Sequence, residues 1–153
     1  MASDKGLEER LRRLEDSEGV WQLFMDYRRH LDARDFAAYS RLFVEDGEWA
    51  GNLGEARGPA EIEALLERTL EIYPDDSTRT YHLVCNPTIQ IEGDRATAYS
   101  TWCYITRDDA DRPTLSLLGH YDDVLTKDGD RWKFLRRVAY CDMPYEVLVT
   151  QAP

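Results

Sequence analysis

The sequence predicts an α+β protein: a half-barrel of curved antiparallel sheet, with N-terminal helices packed on its concave face. Three observations predict this fold. Apolar residues recur at helical spacing through residues 4–43 and again through 59–73. From residue 78 the period of the pattern changes to two, which is typical of strands. The strand-like runs are joined mostly by short turns, and such turns connect antiparallel neighbours.

The N-terminal region is expected to hold three helices. The first covers residues 4–15, and the pair Asp16–Ser17 can cap the start of the second. The second ends near Asp32–Ala33, and Asp35 can cap a third helix from Phe36 to Phe43. The apolar residues that define the first two helices are Leu7, Leu11, Leu14, Val20, Trp21, Phe24, Met25, Tyr27 and Leu31.

A further helix is predicted after a short strand at Glu48–Ala50. Proline is tolerated at the first helical position because its missing N–H is not needed there, so Gly58–Pro59 marks a helix start. The apolar face of this helix continues to about Ile72, and Pro74 stops it.

Four strand-like runs make up the predicted meander of residues 78–142. Glycine in the turns 92–94 and 128–130 favours tight hairpins, while 108–113 reads as a longer polar loop. A C-terminal tail follows at 143–153, and the whole chain, 1–153, is expected to form a single domain. The four predicted strands cover about 78–92, 95–107, 114–127 and 131–142.

The first of these runs carries a histidine, His82, and strand alternation predicts its surroundings. His82 would share a face of mixed polarity, as is typical of side chains that line a cavity. That face is predicted to carry His82, Val84, Asn86, Thr88 and Gln90, and the opposite face Tyr81, Leu83, Cys85, Ile89 and Ile91.

Composition and net charge restrict the classes of molecule that the protein is expected to bind. A formal net charge of −11 argues against nucleic acid and anionic membranes, since both require clustered Lys and Arg. No run approaches the roughly 18 apolar residues of a membrane span, and the N-terminus lacks a signal-peptide core, so we expect a cytoplasmic protein. The three histidines lack metal-site spacing and no nucleotide-binding motif is present, so we expect neither metal nor cofactor.

The order of these features resembles that of one superfamily. Helices come first, an aspartate closes the second helix, a histidine starts the first long strand, and a hairpin at Asp128–Phe134 comes late. This order resembles the nuclear transport factor 2-like superfamily, and more narrowly its SnoaL-like group, which includes scytalone dehydratase, hexachlorocyclohexane dehydrochlorinase and bile-acid dehydratase. The resemblance covers roughly residues 7–143 and implies a cone-shaped α+β barrel.

The resemblance also implies catalytic residues. Asp32 and His82 stand where these lyases carry the aspartate and the histidine of a His–Asp dyad. His120, in Gly119–His120–Tyr121, matches the second catalytic histidine of scytalone dehydratase, and Tyr27 matches the catalytic tyrosine of the bile-acid enzyme.

Two positions depart from the pattern of the family. Leu31 stands where scytalone dehydratase has a tyrosine that helps hold a water, and Thr106 stands where the bile-acid enzyme has a catalytic aspartate. The complete mechanism of neither enzyme can therefore be assigned to this sequence, and the fold alone does not indicate a particular reaction.

Our hypothesis from the sequence is a cofactor-free β-elimination on a small hydrophobic substrate. His82 would remove a proton α to a carbonyl while Asp32 orients it, since histidine suits proton transfer near neutrality. Tyr27 would donate to the developing oxyanion, and His120 would protonate the leaving group. The apolar pocket is predicted to comprise Trp21, Phe24, Tyr39, Phe43, Trp49, Leu66, Trp102 and Met143.

Other readings stay open at this point. An isomerase or polyketide cyclase-like enzyme would need the same base but no leaving-group acid, and a non-catalytic subunit would bind a hydrophobic ligand or serve in assembly. Asp32 could simply cap the backbone at Asp35–Phe36, and His120 could pair with Asp122 or Asp123. A homodimer or homotrimer that buries the outer face of the sheet is expected.

Overall fold

The computed structural model describes residues 2–70 and 80–144, with side chains from Asp4 onward. The end predicted for the helix that starts at Gly58, its stop at Pro74, the start predicted for the strand at residue 78 and most of the predicted tail lie outside these residues. Across the described ranges, none of the helices combines the length and apolar character that crossing a bilayer requires. The elements in chain order are α1 (Ala2–Asp32), α2 (Phe36–Ser40), β1 (Phe43–Gly51), β2 (Gly54–Arg57), α3 (Gly58–Thr69), β3 (Tyr81–Glu92), β4 (Arg95–Arg107), β5 (Pro113–Asp128) and β6 (Arg131–Met143).

The first two predicted helices are one continuous helix, α1. The predicted break at Asp16–Ser17 is wrong because Asp16 is buried and its carboxylate pairs with Lys127 Nζ of β5 at 2.5 Å. A distant strand therefore takes the side chain that could have capped a new helix. The three leucines that precede this point, Leu7, Leu11 and Leu14, are exposed.

The next helix is confirmed but shorter than predicted. Asp35 caps α2, since Asp35 Oδ1 accepts a hydrogen bond from the backbone N–H of Ala38 at 2.9 Å. The helix ends at Ser40, and Phe43 already belongs to β1, where it pairs with Phe134 of β6. Helix α3 begins at Gly58 with Pro59 in its first turn, as predicted.

One curved, unclosed sheet of six strands carries the rest of the chain, in the order β2-β1-β6-β5-β4-β3. Strands β3 to β6 form the predicted antiparallel meander, with bounds that match the four predicted runs to within a few residues. Gly93 and Gly129 adopt the positive φ values, 60° and 63°, that these tight turns require. The sheet is not wholly antiparallel, however, because β1 pairs in parallel with β6.

Strand β3 contains a bulge that the alternation pattern did not predict. Asn86 has a φ of 51°, a left-handed conformation that asparagine tolerates, and the register with β4 shifts between Cys85 and Thr88. Because of the extra residue, the side chains beyond the bulge exchange faces. Ile89 and Ile91 therefore pack against the core on the same side as Val84, and their predicted placement opposite His82 is wrong.

The helices cover one face of the sheet, and the core lies between them. Phe24 of α1 stacks on Phe134 of β6, and Phe43 packs on the same ring, with centroid distances of 6.2 and 5.0 Å. Leu65 and Leu66 of α3 complete the buried set. One part of this interface is left open, and that opening is the candidate site.

Candidate active site

A cavity of about 190 Å³ lies between the helices and the covered face of the sheet. Its walls are mainly apolar and aromatic, with a few polar groups that converge on the interior, which is the usual composition of a small-molecule site. Among the described residues, the lining comprises Tyr27, Leu31, Arg34, Tyr39, Trp49, Asn52, Leu53, Leu66, Leu70, His82, Trp102, Tyr104, Leu117, Tyr121 and Ala139.

The fold brings Asp32 and His82 together. His82 Nδ1 lies 2.6 Å from Asp32 Oδ1, although 50 residues separate the two in the chain. Both groups are well covered, since the side chains are 14% and 7% exposed. The predicted contact between Asp32 and His82 is thus present in the structure.

The position of each partner follows from its element. Asp32 is the last residue of α1, and its carboxylate accepts the backbone N–H of His82 at 3.1 and 3.0 Å as well as the ring. The aspartate therefore joins the end of the helix to the start of β3. His82 faces inward because it is paired with Tyr104 of β4, and the two rings lie 4.7 Å apart.

This geometry selects one tautomer of the histidine. A carboxylate only accepts hydrogen bonds, so His82 Nδ1 carries the hydrogen and donates it to Asp32. Nε2 is then left with its lone pair, as a base requires. A carboxylate held in this way also stabilises the imidazolium that forms when Nε2 takes a proton.

Three tyrosines form a second polar group in the cavity. The ring of Tyr27 lies 4.7 Å from that of Tyr39 and 5.6 Å from that of Tyr121. The hydroxyl of Tyr27 accepts a hydrogen bond from Trp49 Nε1 at 3.3 Å, which leaves its own hydrogen to donate. Tyr27 came from the resemblance and Tyr39 from the apolar pattern, but nothing in the strand pattern singled out Tyr121.

Burial raises the pKa of two of these phenols, Tyr39 and Tyr121. Burial raises the pKa of Tyr39 well above 10, and the nearby phenol of Tyr27 raises it further, while the positive charge of Arg137 opposes the shift. The pKa of Tyr121 is raised well above 10 in the same way, first by burial and then by Tyr27, again against Arg137. Both phenols therefore stay protonated at neutral pH.

A buried ion pair packs against the tyrosine rings. Arg137 of β6 is fully buried and donates from Nε and Nη2 to the two carboxylate oxygens of Asp123, both at 2.7 Å. Burial acts against the charge of the guanidinium, but the charge and hydrogen bonds of Asp123 outweigh it and raise the pKa of Arg137. The guanidinium carbon lies 4.0 Å from the ring centroids of both Tyr27 and Tyr121.

The structure does not bring His120 to the cavity. Its neighbour Tyr121 faces inward, so His120 lies on the outer face of the sheet. There it stacks between Tyr99 and Tyr140 and pairs through Nδ1 with Asp142 at 2.7 Å. The sequence match did not show which face of β5 His120 takes, because a shift of one residue exchanges the faces of a strand. A role for His120 as leaving-group acid is therefore not carried forward, and its partner is neither Asp122 nor Asp123.

Close packing explains why a glycine precedes that histidine on β5. A Cβ on Gly119 would collide with the backbone oxygen of Tyr140 and with the indole of Trp102. The indole of Trp102 lies over β5 at this point, and its Nε1 donates to the backbone oxygen of His120 at 3.2 Å. The glycine thus allows Trp102 to form the cavity wall.

Four of the eight predicted pocket residues line the cavity: Tyr39, Trp49, Leu66 and Trp102. Phe24 and Phe43 are buried but belong to the closed core. Trp21 and Met143 are 40% and 59% exposed, so their assignment to the pocket is wrong. Helical spacing identified Trp21 as apolar without showing that its side of α1, unlike the side that carries Val20 and Phe24, faces away from the core. The inward residues Tyr104, Leu117 and Tyr121 were missed because the faces of β4 and β5 depend on register.

None of the described helices covers the outer face of the sheet, and several large apolar side chains on it are exposed, among them Tyr81, Leu83 and Tyr99. The homodimer or homotrimer expected from burial of this face stays a prediction, which analytical ultracentrifugation would test.

The fold and site define a class of protein: an α+β cone with a small-molecule cavity between its helices and its sheet. A profile of the SnoaL-like domain matches residues 12–138, and the chain belongs to that family. No functionally curated protein matches the sequence.

Solved structures show the same fold. An NTF2-like protein with a cystatin-like fold from Novosphingobium aromaticivorans is 29% identical, with a TM-score of 0.76 over 87% of this chain and 86% of that one. A suggested scytalone dehydratase from the same organism is 25% identical, with a TM-score of 0.70 over 92% and 91%. ActVI-ORFA from Streptomyces coelicolor is 25% identical, with a TM-score of 0.72 over 83% and 97%.

The family and these neighbours support a fold of the small-molecule lyase or isomerase type. Within residues 2–70 and 80–144, no group of three His, Cys, Asp or Glu side chains is arranged to hold a metal ion.

Proposed function

We propose that the protein is a cofactor-independent lyase that carries out a β-elimination, of the dehydratase or dehydrohalogenase type, on a small hydrophobic substrate. The observation that carries the proposal is the 2.6 Å contact between His82 Nδ1 and Asp32 Oδ1 in the wall of an apolar cavity. His82 Nε2 removes a proton next to a carbonyl, and Asp32 orients the ring and stabilises the imidazolium. Tyr27 donates to the oxygen on which charge develops.

The position of His120 changes the expected second half of the reaction. Among the described residues that line the cavity, His82 is the only imidazole and no carboxylate is present. The simplest route is for a departing hydroxyl to take back the proton that His82 removed, which requires proton and hydroxyl to leave from the same side of the substrate. A halide is stable as an anion and needs no acid.

The contact between His82 and Asp32 also supports a second candidate, an isomerase or polyketide cyclase-like enzyme. Isomerisation needs one base that removes a proton and returns it at another carbon, and His82 can perform both steps. A non-catalytic ligand-binding or assembly subunit has less support, because that reading predicts either a closed core or an Asp32 distant from His82. The contact and the cavity both argue against it.

Proton transfer can be measured before the natural substrate is known. Monocyclic ketones with and without a β-hydroxyl or β-halide would be incubated with the protein in D2O, and exchange, elimination and isomerisation would be followed by NMR. We expect His82→Ala to slow α-proton exchange by about 10²- to 10⁴-fold, the usual contribution of a general base.

His120→Ala is the matched control, since it removes the histidine of the other His–Asp pair without touching the cavity. It should leave the exchange rate unchanged. Equal losses in the two variants, or exchange that survives His82→Ala, would refute the assignment of His82 as the base.

A further inference from the structure

Arg34 brings a positive charge to the mouth of the cavity. The side chain is half-buried and lines the cavity together with Asn52, which is exposed. The opposite end is closed by Tyr27 and Tyr39, which are 1% and 0% exposed. Among the described residues that line the cavity, Arg34 carries the one permanent charge. A ligand that enters from solvent therefore meets a guanidinium before it reaches the buried end.

The turn that ends α1 holds Arg34 in an uncommon conformation. The backbone N–H of Arg34 donates to Leu31 O at 3.1 Å, and the N–H of Asp35 donates to His30 O at 2.9 Å. This pair of hydrogen bonds is the Schellman motif, whose left-handed position is usually occupied by glycine. Arg34 has a φ of 59° at that position, so its backbone is strained relative to glycine. Residues held in such conformations are common at ligand sites, which makes the contacts of this side chain informative.

One contact fixes the guanidinium close to the pair of Asp32 and His82. Arg34 Nη1 donates to the backbone oxygen of Leu31 at 2.8 Å, and Asp32, the next residue, holds His82. A cation at the C-terminal end of a helix is favourable, so this contact also stabilises α1. The carbonyl is neutral and does not cancel the charge of the guanidinium. The helix end thus positions a charged, planar group two residues from the carboxylate that orients His82.

The carboxylates next to Arg34 in the sequence are directed elsewhere. Asp32 is covered, and its oxygens lie 2.6 Å from His82 Nδ1 and 3.8 Å from Arg28 Nη1. Asp35 caps α2 by accepting the backbone N–H of Ala38. Neither aspartate lines the cavity. The described walls therefore present a positive charge that no carboxylate in the lining offsets, and an apolar cleft focuses the field of such a charge.

Charge and size together restrict the ligand. The chain as a whole carries a net charge of −11, which repels anions, so an anionic ligand needs a local cation such as Arg34. A guanidinium matches the two oxygens of a carboxylate through parallel N–H groups. A cavity of about 150 Å³ in another protein accommodates benzene, and the volume here is about 190 Å³. The described walls thus enclose roughly one six-membered ring, with room for a small anionic group at the mouth.

We propose that Arg34 determines substrate specificity: it binds the carboxylate of a monocyclic acid at the mouth of the cavity, while the ring lies inside, within reach of His82. This inference rests on the proposed function, since it takes the cavity beside His82 as the substrate site. It adds a substrate class, a ring carbonyl compound that carries a carboxylate. The acid group anchors the substrate, and the proton transfer takes place on the ring.

Benzoate and benzamide test the carboxylate site directly, because they have nearly the same shape and differ in charge. Calorimetric titration of the wild-type protein with each compound gives the two dissociation constants. We expect benzoate to bind about 10- to 100-fold more tightly, the usual contribution of a hydrogen bond to a charged group. Added salt should weaken the binding of benzoate and leave that of benzamide unchanged. Equal affinities, or no binding of either compound, would refute the proposal.

Two substitutions remove the charge and keep the backbone. Arg34→Gly and Arg34→Asn both suit the left-handed conformation, so both variants should fold. Each should bind benzoate no more tightly than benzamide. Arg41→Asn is the matched control, since Arg41 is exposed and does not line this cavity, and it should keep the preference. A preference that survives in the Arg34 variants, or that Arg41→Asn loses to the same extent, would overturn the assignment.

Steady-state proton exchange separates binding of the acid group from a merely structural role. With 3-oxocyclohexanecarboxylate as substrate, Arg34→Asn should raise KM by about 10-fold or more and leave kcat nearly unchanged. With the neutral amide of the same acid, the variant and the wild type should have the same KM. A loss of kcat with both substrates would show that Arg34 only maintains the structure around His82, and the specificity role would be rejected.

The two proposals can fail separately, because binding of benzoate requires no proton transfer. His82→Ala should slow proton exchange and still prefer benzoate to benzamide. If exchange depends on His82 but the wild type shows no such preference, the carboxylate site is wrong and the base stands. If Arg34→Asn loses the preference while His82→Ala retains proton exchange, the carboxylate site stands and the assignment of the base is wrong.

Discussion

Two histidine–aspartate pairs lie on opposite faces of the same sheet. On the covered face His82 Nδ1 is 2.6 Å from Asp32, and on the outer face His120 Nδ1 is 2.7 Å from Asp142. The contacts are nearly identical, but the surroundings are not. Asp32 is 7% exposed and its histidine lines an apolar cavity, whereas Asp142 is 46% exposed and its histidine stacks between two tyrosines.

The comparison shows that the pair itself does not make a catalytic site. Hydrogen-bond geometry fixes the tautomer in both places. Within the part of the chain that the structure describes, His82 lines the apolar cavity and His120 does not, and electrostatic contacts are stronger where water is excluded.

Two neighbouring arginines of β6 are expected to differ most in their contribution to the free energy of unfolding. Arg137 is fully buried against Asp123, while Arg136 points outward and lies 3.6 Å from Glu48, with both side chains about half exposed. We expect Arg137→Met to cost about 3–5 kcal/mol, because it leaves a buried carboxylate without its partner. Arg136→Met should cost at most about 1 kcal/mol. Urea unfolding of the two variants gives both values, and similar costs would contradict the contrast.

Alkaline pH should destabilise the protein through the tyrosines of the covered face. The pKa values of Tyr39 and Tyr121 are raised in the folded protein, so the folded state holds these two protons more tightly than the unfolded chain does. Their contribution is complete below about pH 10, the usual pKa of tyrosine, and is lost as pH rises through the folded pKa values. Each phenol contributes about 1.4 kcal/mol of this loss per pH unit.

Absorbance and unfolding measurements between pH 9 and pH 12 follow this loss. Two phenols should ionise only together with unfolding. Complete ionisation of all tyrosines in a protein that is still folded would disprove the effect.

Neutralising each aspartate compares the two pairs directly. Asp32→Asn should cost about 1–3 kcal/mol, because the buried carboxylate accepts both the ring and the backbone N–H of His82. Asp142→Asn should cost about 0–1 kcal/mol, since its carboxylate is largely solvated. ¹⁵N NMR should show His82 with the hydrogen on Nδ1 in the wild type and a mixture of tautomers in Asp32→Asn. A single unchanged tautomer in that variant would show that Asp32 does not select it.

Much of the fold could be predicted from local patterns. The change of period at residue 78, the glycines at 93 and 129, and the cap at Asp35 each depend on residues close in sequence, and the structure confirms the elements they predict. The contact between Asp32 and His82 was predicted from the resemblance rather than from spacing. No local pattern joins a helix end to a strand 50 residues later.

Local sequence patterns therefore predicted most of the elements, their order and the residues capable of chemistry. Contacts between distant parts of the chain fix which of those residues share a face. The bulge at Asn86 reversed the end of β3, one step of register placed His120 outside the cavity, and Lys127 of β5 held Asp16 within a continuous helix. The physical reason is the range of the interactions. Helical and strand periods arise from neighbours along the chain, whereas register, burial and ion pairing are fixed by partners that only the folded protein brings together.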